Sequence, residues 1–202
     1  MLHTIIKHAR LILAWGAVVA VAALTVSFFL PRYYSAEAQL LIIVRGGTGT
    51  DAYTQSKAAD LAGENLAQVI RTQDFYTKVM ESGSAVNRDR WQGLTERRRR
   101  RAWARDVRAV VDYGTGVLSL KVYGLGESDT AALSGAVVNT LVTRGWEYAG
   151  SDVSIRVLNS PLVSYLPGRP NFVLNTVVGF VLGFVLSAWW AWRYKRVFGI
   201  KI

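Results

Sequence analysis

Two stretches of this chain run uncharged for the length of a bilayer crossing. Leu11 to Leu30, LILAWGAVVAVAALTVSFFL, is one, and Phe172 to Trp192, FVLNTVVGFVLGFVLSAWWAW, is the other. At about 1.5 Å of rise per residue, about twenty helical residues span roughly 30 Å, the thickness of the hydrocarbon layer. The pattern predicts transmembrane helices over 11–30 and 171–192, short tails at 1–10 and 193–202, and one domain over 31–170. The first run has a second reading, a cleaved signal peptide, because Ala36-Glu37-Ala38 offers a small-x-small site. A signal core usually has only about 7–15 apolar residues, which favours the retained span.

Between the runs the pattern is that of a folded domain. Tyr33 to Val44 alternates and then turns continuously apolar, which predicts a strand closed by the glycine-rich turn Gly46 to Thr50. Apolar residues recur at helical spacing from Thr54 to about Arg71. A short helix capped by Thr72 or Asp74 follows and ends near Gly83. Residues 88–105, RDRWQGLTERRRRRAWAR, lack proline and read as a third helix. Val107–Asp112 and Val117–Tyr123 flank Tyr113-Gly-Thr-Gly116 as a hairpin. A helix over about Ser128 to Tyr148 and a last short strand, Val153–Leu158, complete the order β-α-α-α-β-β-α-β. This is an α+β domain, a small sheet with helices on one face. Pro161, Pro167 and Pro170 then predict a stiff, extended approach to the second span.

Charge adds orientation. The net charge of +10 suggests nucleic acid, but its distribution does not. Lys7, Arg10, Arg193, Lys195, Arg196 and Lys201 stand in the tails with no acid beside them, while the other 18 basic residues share the domain with all 14 acids. Unopposed basic charge at both membrane ends predicts that both termini are cytoplasmic and the domain extracytoplasmic, in an inner-membrane protein that does not bind nucleic acid. Tyr33 and Tyr34 after the first span, and Trp189, Trp190 and Trp192 at the end of the second, are placed as interfacial aromatics against membrane lipid.

Candidate chemistry is sparse. There is no cysteine, and both histidines, His3 and His8, lie in the N-terminal tail. No triad, metal site or cofactor motif is predicted, and Gly46 to Thr50 lacks the lysine of a phosphate loop. In the second span Asn175, Gly179, Gly183 and Ser187 recur every four residues, a stripe of small or polar side chains that lets helices approach closely. The stripe has two readings: packing between the spans or between protomers, and the ordinary abundance of glycine in membrane helices. The tail beyond Trp192, with Phe198, reads as an interfacial anchor or as a docking point for a cytoplasmic kinase.

Arg97 to Arg101 are five consecutive arginines, and Arg97, Arg101, Arg105 and Arg108 fall on one face of a continued helix. With Arg99 they are candidates for contact with an acidic glycan, with the pyrophosphate of a lipid-linked glycan precursor, or with lipid headgroups. A plainly solvated helix face accounts for them equally well.

Several features together resemble the polysaccharide co-polymerase, or Wzz-type chain-length determinant, family. Tyr34-Ser-Ala-Glu-Ala38 after the first span is similar to its Y-x-A opening. Asp112-Tyr-Gly-Thr-Gly-Val-Leu-Ser-Leu-Lys-Val122 is similar to its D-T-G hairpin. Ala131, Ala132 and Asn139 sit as in its A-x-x-x-x-N helix, and Val157-Leu-Asn-Ser-Pro161, then Pro167, Pro170, Asn171, Gly179 and Gly183, as in its approach to the second span. The chain lacks the long helical arm of larger members and any kinase domain. The resemblance therefore implies a compact, non-enzymatic regulator of bacterial surface polysaccharide chain length, polymerisation or export, be it lipopolysaccharide, capsule or exopolysaccharide. It implies a homo-oligomer working beside a polysaccharide polymerase. Its alternative is an adaptor that activates a separate cytoplasmic tyrosine kinase.

Overall fold

The computed structural model describes residues 9–45, 51–82, 86–150 and 152–198. The glycine turn at 46–50, the expected helix end at Gly83 and the outermost residues of both tails lie outside them. The chain divides into two units, one of residues 1–32 with 169–202 and one of residues 33–168.

The first unit contains two long helices, α1 (Ala9–Phe29) and α7 (Phe172–Phe198). Within them Ile12–Phe29 and Phe172–Trp190 are apolar enough to cross a membrane, with mean hydropathies of 2.3 and 2.0. Only 22% and 17% of these windows are buried, so most of their apolar surface faces outward. That exposure is compatible with helices that cross a membrane.

The second unit is a mixed helix and sheet domain. Its elements are β1 (Tyr34–Val44), α2 (Ala52–Val69), α3 (Gln73–Glu81), α4 (Glu96–Asp106), β2 (Val107–Asp112), β3 (Val117–Gly124), α5 (Glu127–Arg144), α6 (Trp146–Ala149) and β4 (Val153–Val163). The four strands form one antiparallel sheet in the order β2-β3-β1-β4. Strand alternation gives one sheet face to the core: Ala38, Leu40, Ile42, Ala109, Val111, Leu118 and Leu120 are all buried. Leu66 of α2 and Leu133, Ala136, Val137 and Leu141 of α5 join them in one cluster. The α+β class and the expected strand and helix order hold, with α6 as an added single turn.

The β2–β3 turn shows how the helices register on the sheet. Gly114 and Gly116 have φ of +78° and +65°, a region open to glycine. Asp60 of α2 accepts hydrogen bonds from both of their backbone N–H groups, at 2.8 and 3.2 Å. At the start of α3 the Thr72 hydroxyl caps the Phe75 N–H, which decides between the two expected caps in favour of threonine.

Three expectations are corrected. The helix expected over 88–105 begins only at Glu96, because Arg88–Gly93 form turns and Gly93 takes φ of +72°. The helix expected to reach Tyr148 breaks after Arg144, at Gly145, and α6 is a separate turn closed by Gly150. The last strand is nearly twice as long as expected and contains Pro161, which is therefore not part of an extended linker. Glu37 and Gln39 of β1 pair with Leu162 and Asn159, so Ser160 and Pro161 bulge out of the ladder. An edge-strand bulge is where a residue without an N–H is tolerated. Pro167 and Pro170 follow the strand.

Candidate functional site

The arginine run sits on α4, and that helix is held by its opposite side. Arg99, Trp103 and Asp106 are spaced i, i+4, i+7 and turn inward, leaving Arg97, Arg101 and Arg105 outward. Trp103 is 1% exposed, donates its indole N–H to the Ile70 carbonyl at 2.7 Å, and packs edge-on against Tyr76 and Trp91. Asp106 is fully buried and accepts from the Arg90 guanidinium at 2.7 Å. Arg90 in turn stacks 4.5 Å over the Tyr33 ring.

The five candidate arginines therefore separate. Arg97 and Arg101 are exposed and, with Thr95, Glu96 and Arg100, border a recess of about 550 Å³. Arg98 is exposed beside them, and Arg100 is paired with Glu96 one turn earlier. Arg99 is half-buried, donating to Gln73 Oε1 at 3.3 Å and lying 5.5 Å from the centre of the Tyr76 ring. Arg105 is exposed, with Nε 3.9 Å from Asp106. Arg108 is not on the helix. It belongs to β2 and points from the sheet face opposite the core, so the expected four-arginine helix face is corrected to Arg97, Arg101 and Arg105. The helix stops at Asp106 because that carboxylate is drawn into the core by Arg90 and the next residue, Val107, is already paired in the sheet.

Trp91 and Arg90, which hold this arrangement, were absent from the sequence-based set of candidate residues. Their only signal was an aromatic residue stranded in a run of charge.

A second charge cluster lies between α3 and α6. The Tyr148 hydroxyl donates to Asp74, and this bond, with Lys78 behind it, holds the Asp74 carboxyl below the usual carboxylate range. Glu147 likewise raises Lys78. All these groups have partners within the domain, so the cluster serves to fasten α6.

Within the first unit, all four residues of the small-residue stripe meet α1. Asn175 donates to the Ser27 hydroxyl at 2.9 Å, and Ser187 is 3.5 Å from the Ile12 carbonyl. A Cβ added at Gly179 would stand 2.7 Å from Ala23 Cβ, and one at Gly183 2.7 Å from Val19 Cβ. Gly16 on α1 is packed less tightly, with an added Cβ 3.1 Å from the Phe180 ring. At the far end of α7 the Arg193 guanidinium lies 5.5 Å from the centre of the Trp189 ring.

Residues 1–83, which include α1, β1, α2 and α3, match the family model described as Wzz, chain length determinant protein. The match supports the Wzz-type resemblance and a role in determining polysaccharide chain length. No curated protein matches the chain.

Proposed function

We propose that this chain, with the Wzz signature over its first 83 residues, is a non-enzymatic, homo-oligomeric regulator of bacterial surface polysaccharide length. It is held in the inner membrane by α1 and α7, with both termini cytoplasmic and the domain outside. The observation that carries the reading is the family match over the first helix and the strand and helices that follow it. Repeated copies of the α4 surface would present Arg97, Arg98 and Arg101 many times over to a growing anionic chain or its lipid-linked precursor, raising avidity without a deep pocket. The kinase-adaptor reading has no structural observation of its own and rests on the likeness to compact members that act beside a separate kinase.

Two measurements test this. A reporter fused after Ile202 should be cytoplasmic and one inserted near Gly49 should not. Protease attack on the C-terminus from outside intact spheroplasts would invert the topology. Replacing Arg97, Arg98 and Arg101 with glutamine should leave expression and native mass unchanged, since exposed side chains contribute within about 0.5 kcal/mol each. The polysaccharide ladder of the producing cells should shift in modal length or lose yield. An intact oligomer with an unaltered ladder would return these arginines to a solvated face.

A further inference from the structure

The sheet has a second face that nothing above employs. Its residues are Glu37 and Gln39 on β1, Arg108 and Val110 on β2, Ser119 and Lys121 on β3, and Asn159 and Leu162 on β4, and they line a shallow groove of about 700 Å³.

The polar groups on this face are held by their cross-strand neighbours. Lys121 pairs with Glu37 across β3 and β1. The Asn159 amide donates to Gln39 Oε1 at 2.7 Å across β4 and β1, and the Ser119 hydroxyl donates to Asp112 at 3.0 Å across β3 and β2. Such pairing fixes rotamers in advance and lowers the ordering cost of binding. Each amide still has hydrogen-bonding capacity after this contact, because an amide group offers two donors and a two-lone-pair acceptor. Around these groups Val110 and Leu162 are 61% and 78% exposed.

We propose that this open sheet face is a saccharide-binding surface, on which a hydroxyl-rich glycan chain lies across Gln39, Asn159 and Arg108. The chemistry fits that class. A hydroxyl donates and accepts at once and so satisfies a surface of mixed amides, carboxylate and guanidinium, and the C–H faces of sugar rings suit Val110 and Leu162. The charge argues the same way. Lys121 and Glu37 largely cancel, leaving Arg108 as the groove's one cation without an ion-pair partner among the described residues. A polyanion would gain more at α4. A second copy of the chain would have to bury the ion pair and the amide pair against few large apolar side chains, a poor exchange. The proposal rests on the polysaccharide reading above but assigns a different surface from the arginine helix.

The test uses the full chain in detergent and, as probe, oligosaccharides released by mild acid from the producing cell's own surface polysaccharide. Saturation-transfer NMR should show binding by the unaltered protein. Arg108→Ala and Asn159→Ala should each weaken it about fivefold to tenfold, as loss of a ligand hydrogen bond does. The Arg97, Arg98 and Arg101 glutamine variant should bind uncharged oligosaccharides as before. Absence of transfer, or binding that both face variants leave untouched, overturns the proposal. So does dissociation of the oligomer in the face variants, which would give the surface to a neighbouring copy. If the face variants leave the polysaccharide ladder normal while deletion of the gene abolishes length control, this site falls and the chain-length reading stands.

Discussion

Trp103→Ala is expected to lower the stability of the domain by about 3–5 kcal/mol, the range for removing a large aromatic from a packed core. Trp103 is 1% exposed and touches Tyr76 and Trp91 edge-on, so truncation leaves a cavity bounded by two rings that cannot both move into it. It also strips the Ile70 carbonyl of its indole donor. Thermal unfolding of the full chain in detergent, followed by near-UV circular dichroism, should show the midpoint lowered by roughly 10–20 °C. Trp103→Phe keeps a ring and loses the N–H, and should cost about 1–3 kcal/mol, the penalty for leaving a buried carbonyl unsatisfied. A change below about 1 kcal/mol for the alanine variant would mean that α4 is held by something other than this tryptophan.

Gly183→Leu is expected to force α1 and α7 apart. Even the first carbon of the new side chain would stand 2.7 Å from Val19 Cβ and 3.1 Å from the Gly16 Cα, so the backbones cannot stay where they are. Overpacking of this kind costs about 1–3 kcal/mol, which is about a thirtyfold loss of the close-packed arrangement at the middle of the range. The chain has no cysteine, so an introduced pair reports cleanly. Ser27 and Asn175 are hydrogen-bonded at 2.9 Å, and cysteines in their place should cross-link readily. Adding Gly183→Leu should reduce the cross-linked yield about thirtyfold. Val181→Leu, at a position 51% exposed, should not change it. Equal yields from all three proteins would show that close approach at Gly183 does not hold the helices together.

The parts of this fold that could be read from sequence are those in which one residue period dominates. The apolar run Leu40–Val44, the hairpin glycines and the helical spacing of Leu61, Ala62, Leu66 and Val69 each express a single local preference. What escaped was decided by distant partners. The start of α4 is set by Trp91, which turns into a cluster with Tyr76 and Trp103, and no periodicity announces three rings from three segments. The arginine run obscured the split between Arg99, drawn to Tyr76, and Arg97 and Arg101 outside it, since five identical residues carry no inward or outward mark. The second half of β4 is hidden by Pro161, which ordinarily argues against a strand and is accommodated here by a bulge opposite Ala38. Arg108 keeps the helical spacing in sequence but lies two residues past Asp106, where the helix ends and the strand has begun.

The antiparallel pairing of β1 with β4 has a mechanical consequence. The first residue of the domain and the last are neighbours: the Gly168 N–H donates to the Tyr33 carbonyl at 2.7 Å, and the Ser164 N–H to that of Ser35 at 2.8 Å. A pull applied to the chain at Tyr33 and Gly168 therefore loads these two strands like the tabs of a zip fastener. The hydrogen bonds fail singly, starting with Gly168–Tyr33, where strands drawn past each other in shear would share the load among all of them. The bulges at Ser160–Pro161 and Leu158 interrupt the row near the pulled end, so tension opens the first few rungs and meets firm resistance only at the Leu40–Val157 to Val44–Val153 run. The end of the sheet where the chain enters and leaves the domain is thus the part that yields first under load, while the sheet centre, Leu40 against Leu118, stays clasped.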